Sequence, residues 1–261
     1  MANASRSAFA PEALICHGDP PAECRQVVER LNLDLLTDDN SLAANTLCLY
    51  WRDGALSLGR AGSREHPVAV DFVRALQQRR QGPELLMKAV TGNLSVKPSV
   101  IDATAGLGRD TAILLSRGLA VTMVEQNPVV CALLDNAMAR LRAEPGLAEV
   151  AQRLGLSRLN ACDYLAVNRA DVVYLDPMFA ASGKSALAKK DMQLFQSLLG
   201  HGDDGEALLN AALASADYRV VVKRGAKAPP LAGREPGFAI KGKAVRFDVY
   251  PLKSLKQLVK G

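Results

Sequence analysis

No run of apolar residues in the 261-residue chain approaches the roughly 18 that a membrane-spanning helix needs, which excludes a helical membrane anchor. The first twelve residues, M-A-N-A-S-R-S-A-F-A-P-E, lack the continuous apolar core of a secretory signal, so a cytoplasmic location is expected. Cysteine and histidine are scarce. Cys16, Cys24, Cys48, Cys131 and Cys162 are odd in number and include no C-x-x-C pair, and His17, His66 and His201 are the three histidines beside them. That set does not make a zinc cluster, so no metal is expected, and the thiols are expected to be reduced and mostly buried. Internal repeats and low-complexity tracts are also missing, which removes solenoid and fibrous architectures.

What is present is a chain of ordinary composition, 49% hydrophobic and 23% charged, long enough for one large α/β domain or one domain with a smaller companion. The net charge of +5 is mild but unevenly spread. From Ala180 onward there are 14 Lys and Arg against 7 Asp and Glu, whereas the preceding part has 18 against 20. A basic final third suits a polyanion such as a nucleic acid, and it equally suits a solvated lysine-rich surface.

Residues 1–66 read differently from the rest. Ala13–Cys16 is a short apolar run, Glu23–Asn32 has helical spacing, and Asp53-Gly54 between Thr46–Trp51 and Ala55–Leu58 is a hairpin signal. They predict a small N-terminal α/β unit with an antiparallel edge, in which Tyr50 and Trp51 serve packing. Residues 67–261 are expected to form the main domain. It opens with a strand over Pro67–Val73 and, after Gly82-Pro83, a short helix over Glu84–Val90. Strand–helix units then alternate: Val100–Ala103 with Arg109–Arg117, Ala120–Glu125 with Pro128–Arg142, a helix over Leu147–Gly155 and a strand over Leu156–Asn160. D-V-V-Y-L, Asp171–Leu175, has the apolar continuity of a buried parallel strand. Helices over Met192–Leu199 and Ala207–Ala216, a strand over Tyr218–Lys223, and a hairpin of Gly237–Lys241 and Ala244–Pro251 complete the pattern. The class is α/β: a Rossmann-like parallel sheet ending in an antiparallel hairpin, with the small N-terminal unit beside it.

The main domain is organised around S-V-I-D-A-T-A-G-L-G-R-D, Ser99–Asp110. A strand ending in Asp102, a turn carrying Gly106 and Gly108 and a following helix open a nucleotide-binding α/β fold, where glycine lets the backbone turn sharply and a ligand approach. A dinucleotide fingerprint asks for a third small residue at the position held by Thr111. That residue and the closing hairpin disfavour a nicotinamide oxidoreductase. The acidic strand end and small-residue turn suit S-adenosylmethionine, whose carboxylate and ammonium Arg109 and Asp110 would meet. A helix cap with an ion-paired Arg109 is the plainer alternative. Glu125, 17 residues beyond Gly108, is placed at a strand tip to accept hydrogen bonds from both ribose hydroxyls. Asp163, in N-A-C-D-Y, would accept from the adenine amino group or cap a helix starting at Tyr164.

D-P-M-F, Asp176–Phe179, ends the D-V-V-Y-L strand, and open α/β sheets bind ligands outside their carboxyl strand ends. Amino-group methyltransferases carry [D/N]-P-P-[F/Y/W] at this place. The Asp176 side chain and the Pro177 carbonyl would accept the two N–H bonds of an exocyclic amine, and Phe179 would stack on its base. Met178 stands where the second proline is expected, and a simple D-P turn is the alternative. Lys184, Lys189 and Lys190 follow, and Lys223 and Arg224 end the next strand, so a phosphate backbone would meet cations beside the base pocket. Lys241, Lys243 and Arg246 lie on the hairpin. G-K-S at 183–185 lacks the upstream glycine of a P-loop, which argues against nucleotide hydrolysis.

Taken together, V-I-D-A-T-A-G-L-G-R-D, N-P-V-V-x-A-L-L-D, V-V-Y-L-D-P-M-F, K-S-A-L-x-K-K, V-V-K-R and R-F-D-V-Y resemble the ribosomal RNA small subunit methyltransferase J family over roughly residues 66–250. D-P-M-F is that family's own form. The resemblance implies methyl transfer from S-adenosylmethionine to the 2-amino group of one guanine in small-subunit (16S) rRNA, free or in the 30S subunit. It also implies cofactor contacts at Arg109, Asp110, Glu125, Gln126, Cys162, Asp163 and Asp176. Where the family usually has Arg and Ser-Ser, this chain has Gln126 and Cys162-Asp163, so backbone contacts are expected there. Asp176 is the residue expected closest to catalysis, with direct transfer and no covalent enzyme intermediate. Methylation of another amine, in an adenine or a protein side chain, and a non-catalytic rRNA-binding assembly factor are the alternatives.

Overall fold

The computed structural model describes residues 10–78, 84–92, 94–95, 97–177 and 205–258. Gly82-Pro83, Met178, Phe179, Lys184, Lys189, Lys190 and the helix expected over Met192–Leu199 lie outside the described residues. The described chain falls into two units. One takes the residues up to Asp71 together with Asn127–Arg140, and the other takes the remainder.

In the first unit, β1 (Ala13–Cys16) is wholly buried and lies parallel to both β2 (Asp34–Leu36) and β3 (Leu47–Arg52), with α1 (Ala22–Leu31) between β1 and β2 in the chain. β4 (Ala55–Arg60) and β5 (Val68–Ala69) continue the sheet antiparallel, giving the order β2-β1-β3-β4-β5. The expected hairpin is present. Asp53 (φ 51°) and Gly54 (φ 75°) are both left-handed, the two-residue turn whose twist matches that of its strands. Tyr50 is held by a bond from its hydroxyl to Asp39 Oδ2 at 2.9 Å. The strand expected over Pro67–Val73 is overturned: two residues close the edge of β4, and the chain enters α2 (Phe72–Gln77), which buries Phe72. α5 (Pro128–Ala143) is tied into this unit by its polar side chains. Asn136 Oδ1 accepts from the Leu56 N–H and its Nδ2 donates to the Gly54 carbonyl, both at 2.9 Å, and Arg30 pairs with Asp135 at 2.8 Å.

The second unit is a seven-stranded sheet in the order β11-β12-β10-β9-β6-β7-β8. β6 (Val100–Asp102), β7 (Val121–Val124), β8 (Leu154–Ser157), β9 (Ala170–Leu175) and β10 (Ala216–Gly225) are parallel. β12 (Val245–Pro251) runs antiparallel beside β10, and β11 (Phe238–Lys241) closes the hairpin on it. This is the Rossmann-like sheet with its antiparallel finish. The helices are α2, α3 (Glu84–Thr91), α4 (Arg109–Ser116), α6 (Ala148–Ala151), α7 (Ala161–Val167) and α8 (Gly205–Ser215).

Most boundaries shift by a residue or two, and the shifts around β8 and α7 bear on the site. β8 begins at Leu154, inside the helix expected over Leu147–Gly155, and ends at Ser157. Leu159-Asn160 belongs to no strand, because Asn160 Oδ1 accepts from the Cys162 N–H at 2.8 Å and starts α7 three residues before Tyr164. Asp163 therefore sits within the first helical turn and is not the cap.

Period-2 alternation sorts the sheet's side chains. Ile101, Val173, Leu175, Val220 and Val222 share one core with Leu165 of α7 and Leu208, Leu209 and Ala212 of α8. The residues between them, Asp102, Tyr174, Arg219 and Lys223, project from the opposite face. That face carries the polar chemistry described below.

Candidate active site

β6 and β9 are neighbours although β7 and β8 lie between them in the chain, so their carboxyl ends form the switch point at which open α/β sheets take ligands. At the end of β6, Asp102 is 1% exposed. Its Oδ2 accepts from the Thr111 hydroxyl at 2.5 Å, which closes the loop onto the first turn of α4. Burial pushes the Asp102 carboxyl up to about 7, against the pull of the Thr111 hydrogen bond.

Within the loop, Gly106 (φ 49°) and Gly108 (φ 65°) are left-handed, where a side chain would be strained, and Gly108 caps α4. The Gly106 N–H donates to Glu125 Oε2 at 3.2 Å, so the glycine turn and the residue after β7 are fixed to one another. A Cβ at Gly106 would meet the Thr104 carbonyl at 4.0 Å and, its chain neighbours aside, nothing nearer among the described residues, so the backbone there can be approached closely.

A second network joins β9, β10 and α4. The Asp176 N–H donates to Thr104 Oγ1 at 2.6 Å, anchoring the strand tip to the glycine loop. Lys223 Nζ donates to Asp176 Oδ2 at 2.8 Å and to Asp110 Oδ2 at 2.7 Å, and Asp110 Oδ2 also accepts from the buried Tyr174 hydroxyl at 2.5 Å. Desolvation works against the Lys223 charge, but the carboxylates of Asp176 and Asp110 outweigh it and hold the ammonium above the usual lysine range. Burial raises the Asp176 carboxyl, with Lys223 pulling it back. Burial and the facing Asp110 carboxylate hold the Tyr174 hydroxyl well above its usual range.

The structure thus brings Asp102, Gly106, Gly108, Asp110, Glu125, Asp176 and Lys223 to one edge of one sheet. Arg109 is exposed at the start of α4, Pro177 is half-buried, and Arg224 donates from Nε to the Pro229 carbonyl at 3.0 Å. Gln126 is exposed and its Oε1 accepts from Asn160 Nδ2 at 3.0 Å, which links the loops after β7 and β8. Cys162 is half-buried and Asp163 exposed on α7. Arg246 makes a two-point pair with the fully buried Asp248, at 2.7 and 3.0 Å, and its Nη1 donates to the Gly225, Ala226 and Ala228 carbonyls. Its guanidinium brackets the loop after β10. Thr104, Thr111 and Tyr174 are site residues that sequence reading passed over. The signal for Thr111 was present in its position, since a hydroxyl replaces the third glycine nine residues after a buried aspartate.

A family model described as "Putative SAM-dependent methyltransferase" matches residues 26–252. The chain is 42% identical over 241 residues to ribosomal RNA small subunit methyltransferase J of Pseudomonas paraeruginosa, covering 89% of this chain and 91% of that protein. It is 39% identical to the protein of the same name in Pseudomonas syringae pv. syringae, covering 94% and 92%. The crystal structure of an S-adenosylmethionine-dependent methyltransferase from Neisseria gonorrhoeae matches with a TM-score of 0.72 at 33% identity, over 92% of this chain and 95% of that one.

Proposed function

The chain belongs to the ribosomal RNA small subunit methyltransferase J family of S-adenosylmethionine-dependent enzymes, and from that premise we propose that it methylates the exocyclic 2-amino group of a guanine in small-subunit (16S) rRNA. The observation that carries this reading is Asp176 at the tip of β9, its backbone N–H anchored to Thr104 of the glycine loop and its carboxylate paired with Lys223. An exocyclic amine is a poor nucleophile because its lone pair is delocalised into the ring. Acceptance of its two N–H groups by Asp176 Oδ1 and the Pro177 carbonyl favours a pyramidal nitrogen with its lone pair directed at the cofactor. Phe179 is assigned to stack on the base.

The residues present fit the cofactor. Gly106 and Gly108 supply the left-handed turn of the loop, with space at Gly106 for a ligand's approach, and Glu125 is a carboxylate beside it for the ribose hydroxyls. Arg109 and Asp110 are assigned to the methionine carboxylate and ammonium, and Cys162, Asp163 and Gln126 to the adenosine end. When bound, S-adenosylmethionine supplies a methyl group made electrophilic by its sulfonium. The chain's own part is to aim the amine and to take the proton the nitrogen sheds, which Asp176 does as a carboxylate. The Lys223 ammonium favours that ionised form, against the burial that opposes it. Lys184, Lys189, Lys190 and Arg224 are assigned to backbone phosphates, whereas Lys223, held between two carboxylates, is assigned to the reacting centre.

Small-subunit rRNA from cells lacking the protein, digested to nucleosides, is expected to lose an N2-methylguanosine that the purified protein restores. Asp176→Ala is expected to lower kcat by about a hundredfold or more, while S-adenosylhomocysteine still binds in calorimetry. An unchanged nucleoside profile, or a full-rate variant, would overturn the assignment.

A further inference from the structure

At the other end of β10 from Lys223 lies a cavity of 440 Å³, between the carboxyl end of α3, the first residues of β10 and the segment after β12. Its described lining contains three cationic side chains, Arg219, Lys253 and Lys256, and no acidic one. Arg219 is 8% exposed. Its Nη1 donates to the Ala89 carbonyl near the end of α3 at 2.9 Å, while its buried Nε has no partner among the described residues. Desolvation pulls the guanidinium below its usual range, with no carboxylate among the described residues acting to hold it up.

A guanidinium has five N–H donors and stays charged, so burying one without a counter-ion is costly. The bond to Ala89 explains one donor, as a cation at a helix carboxyl end. It does not explain why the charge lines a cavity with two lysines beside it. We propose that this cavity is an anion site that takes a phosphate group, with Arg219 as its buried cation and Lys253 and Lys256 on its wall. A phosphate can be met by more than one cation at once, and the mouth of the cavity, where Pro251, Lys253 and Lys256 are exposed, is open to an anion from solvent. Arg219 and Lys223 are four residues apart on β10, roughly 13 Å along the strand, so the ligand is not the reacting base. It is either a phosphate of the substrate RNA away from the methylated guanine, which rests on the rRNA reading above, or a free phosphate.

The test uses the intact protein and sodium phosphate titrated against sodium chloride at constant ionic strength. The thermal unfolding midpoint is expected to rise with phosphate and not with chloride, and the rise is expected to be lost in a Lys253→Ala/Lys256→Ala double variant and in Arg219→Met. Should Arg219→Met fail to fold, the lysine pair decides. The source is read from KM for small-subunit rRNA. An RNA phosphate predicts that the double variant raises KM several-fold and reduces the salt slope of RNA binding by about 0.7 for each phosphate no longer neutralised. A free phosphate predicts the same lost thermal response with KM unmoved. No phosphate-specific rise in the parent, or an equal rise in the double variant, together with an unmoved KM would overturn the site. The thermal arm needs no methyl transfer, so its failure is distinct from failure of the rRNA reading.

Discussion

Asp102 does two things at once: it closes the glycine loop through Thr111 and it carries a buried carboxyl whose charge the fold disfavours. In the unfolded chain that group titrates near 3.8, and in the folded chain at about 7. Between those values the folded state holds the extra proton, so stability from this group is full below about pH 4 and is lost as pH rises through about 7. The upper bound is about 4 kcal/mol, at roughly 1.4 kcal/mol for each pH unit. Asp102→Asn keeps an acceptor for the Thr111 hydroxyl and removes the titration. Denaturant midpoints of variant and parent are expected to lie close below about pH 4, to separate steadily in the variant's favour above it and to be furthest apart by about pH 8; parallel curves would show that burial is not what moves this carboxyl. At this scale Asp102, Gly106, Gly108 and Asp176 were legible, because strand ends and left-handed turns demand particular residues. Tyr174 was not. Inside an apolar run its ring reads as core, and only the fold brings Asp110 of α4 to its hydroxyl.

Among the elements, β9 and β10 meet chemically at Lys223. The sequence places Lys223 and Arg224 together at a strand tip, but the strand's alternation separates them: Lys223 turns to Asp176 and Asp110, and Arg224 to the Pro229 carbonyl. Removing the ammonium takes away the charge that pulls the Asp176 carboxyl down, so in Lys223→Met that carboxyl rises further. The acid limb of the kcat/KM profile is expected to move to higher pH by about one unit or more, and Lys223→Arg to return most of it. A limb that stays in place would separate Lys223 from Asp176. Arg246 and Asp248 work at the same scale, holding the loop that leaves β10. Asp248→Ala removes the carboxylate partner of the half-buried Arg246 guanidinium, which keeps its three carbonyl acceptors, and is expected to cost about 1–3 kcal/mol in denaturant unfolding; a loss well below about 1 kcal/mol, the range of an exposed pair, would make it dispensable. Element order and type were legible from periodicity throughout this sheet. β8 starts two residues early because Leu154 and Gly155, expected to end a helix, pair with Val121 and Thr122, and it stops at Ser157 because Asn160 is needed as the cap of α7.

For the whole molecule, composition suggests a boundary near residue 66, but the fold groups Asn127–Arg140 of α5 with the first 71 residues. Periodicity marks α5 as a helix with buried positions and is silent on which polar groups elsewhere in the chain its side chains reach. In the structure Asn136 satisfies the Leu56 N–H and the Gly54 carbonyl of the first unit's hairpin, Asp135 pairs with Arg30, and Arg140 donates to the Val70 carbonyl. A chain begun at residue 67 keeps Val70 but loses the partners of Asp135 and Asn136. Each hydrogen bond removed from a partly buried amide costs about 1–3 kcal/mol when nothing replaces it. The shortened chain is therefore expected to unfold at lower denaturant than the full chain even though its seven-stranded sheet is complete. Asn136→Ala in the full chain isolates the polar share, with an expected loss of about 1–3 kcal/mol. If the shortened chain matched the full one in midpoint and steepness, α5 would be held without the first unit, and residues 67–261 would stand as an independent methyltransferase domain.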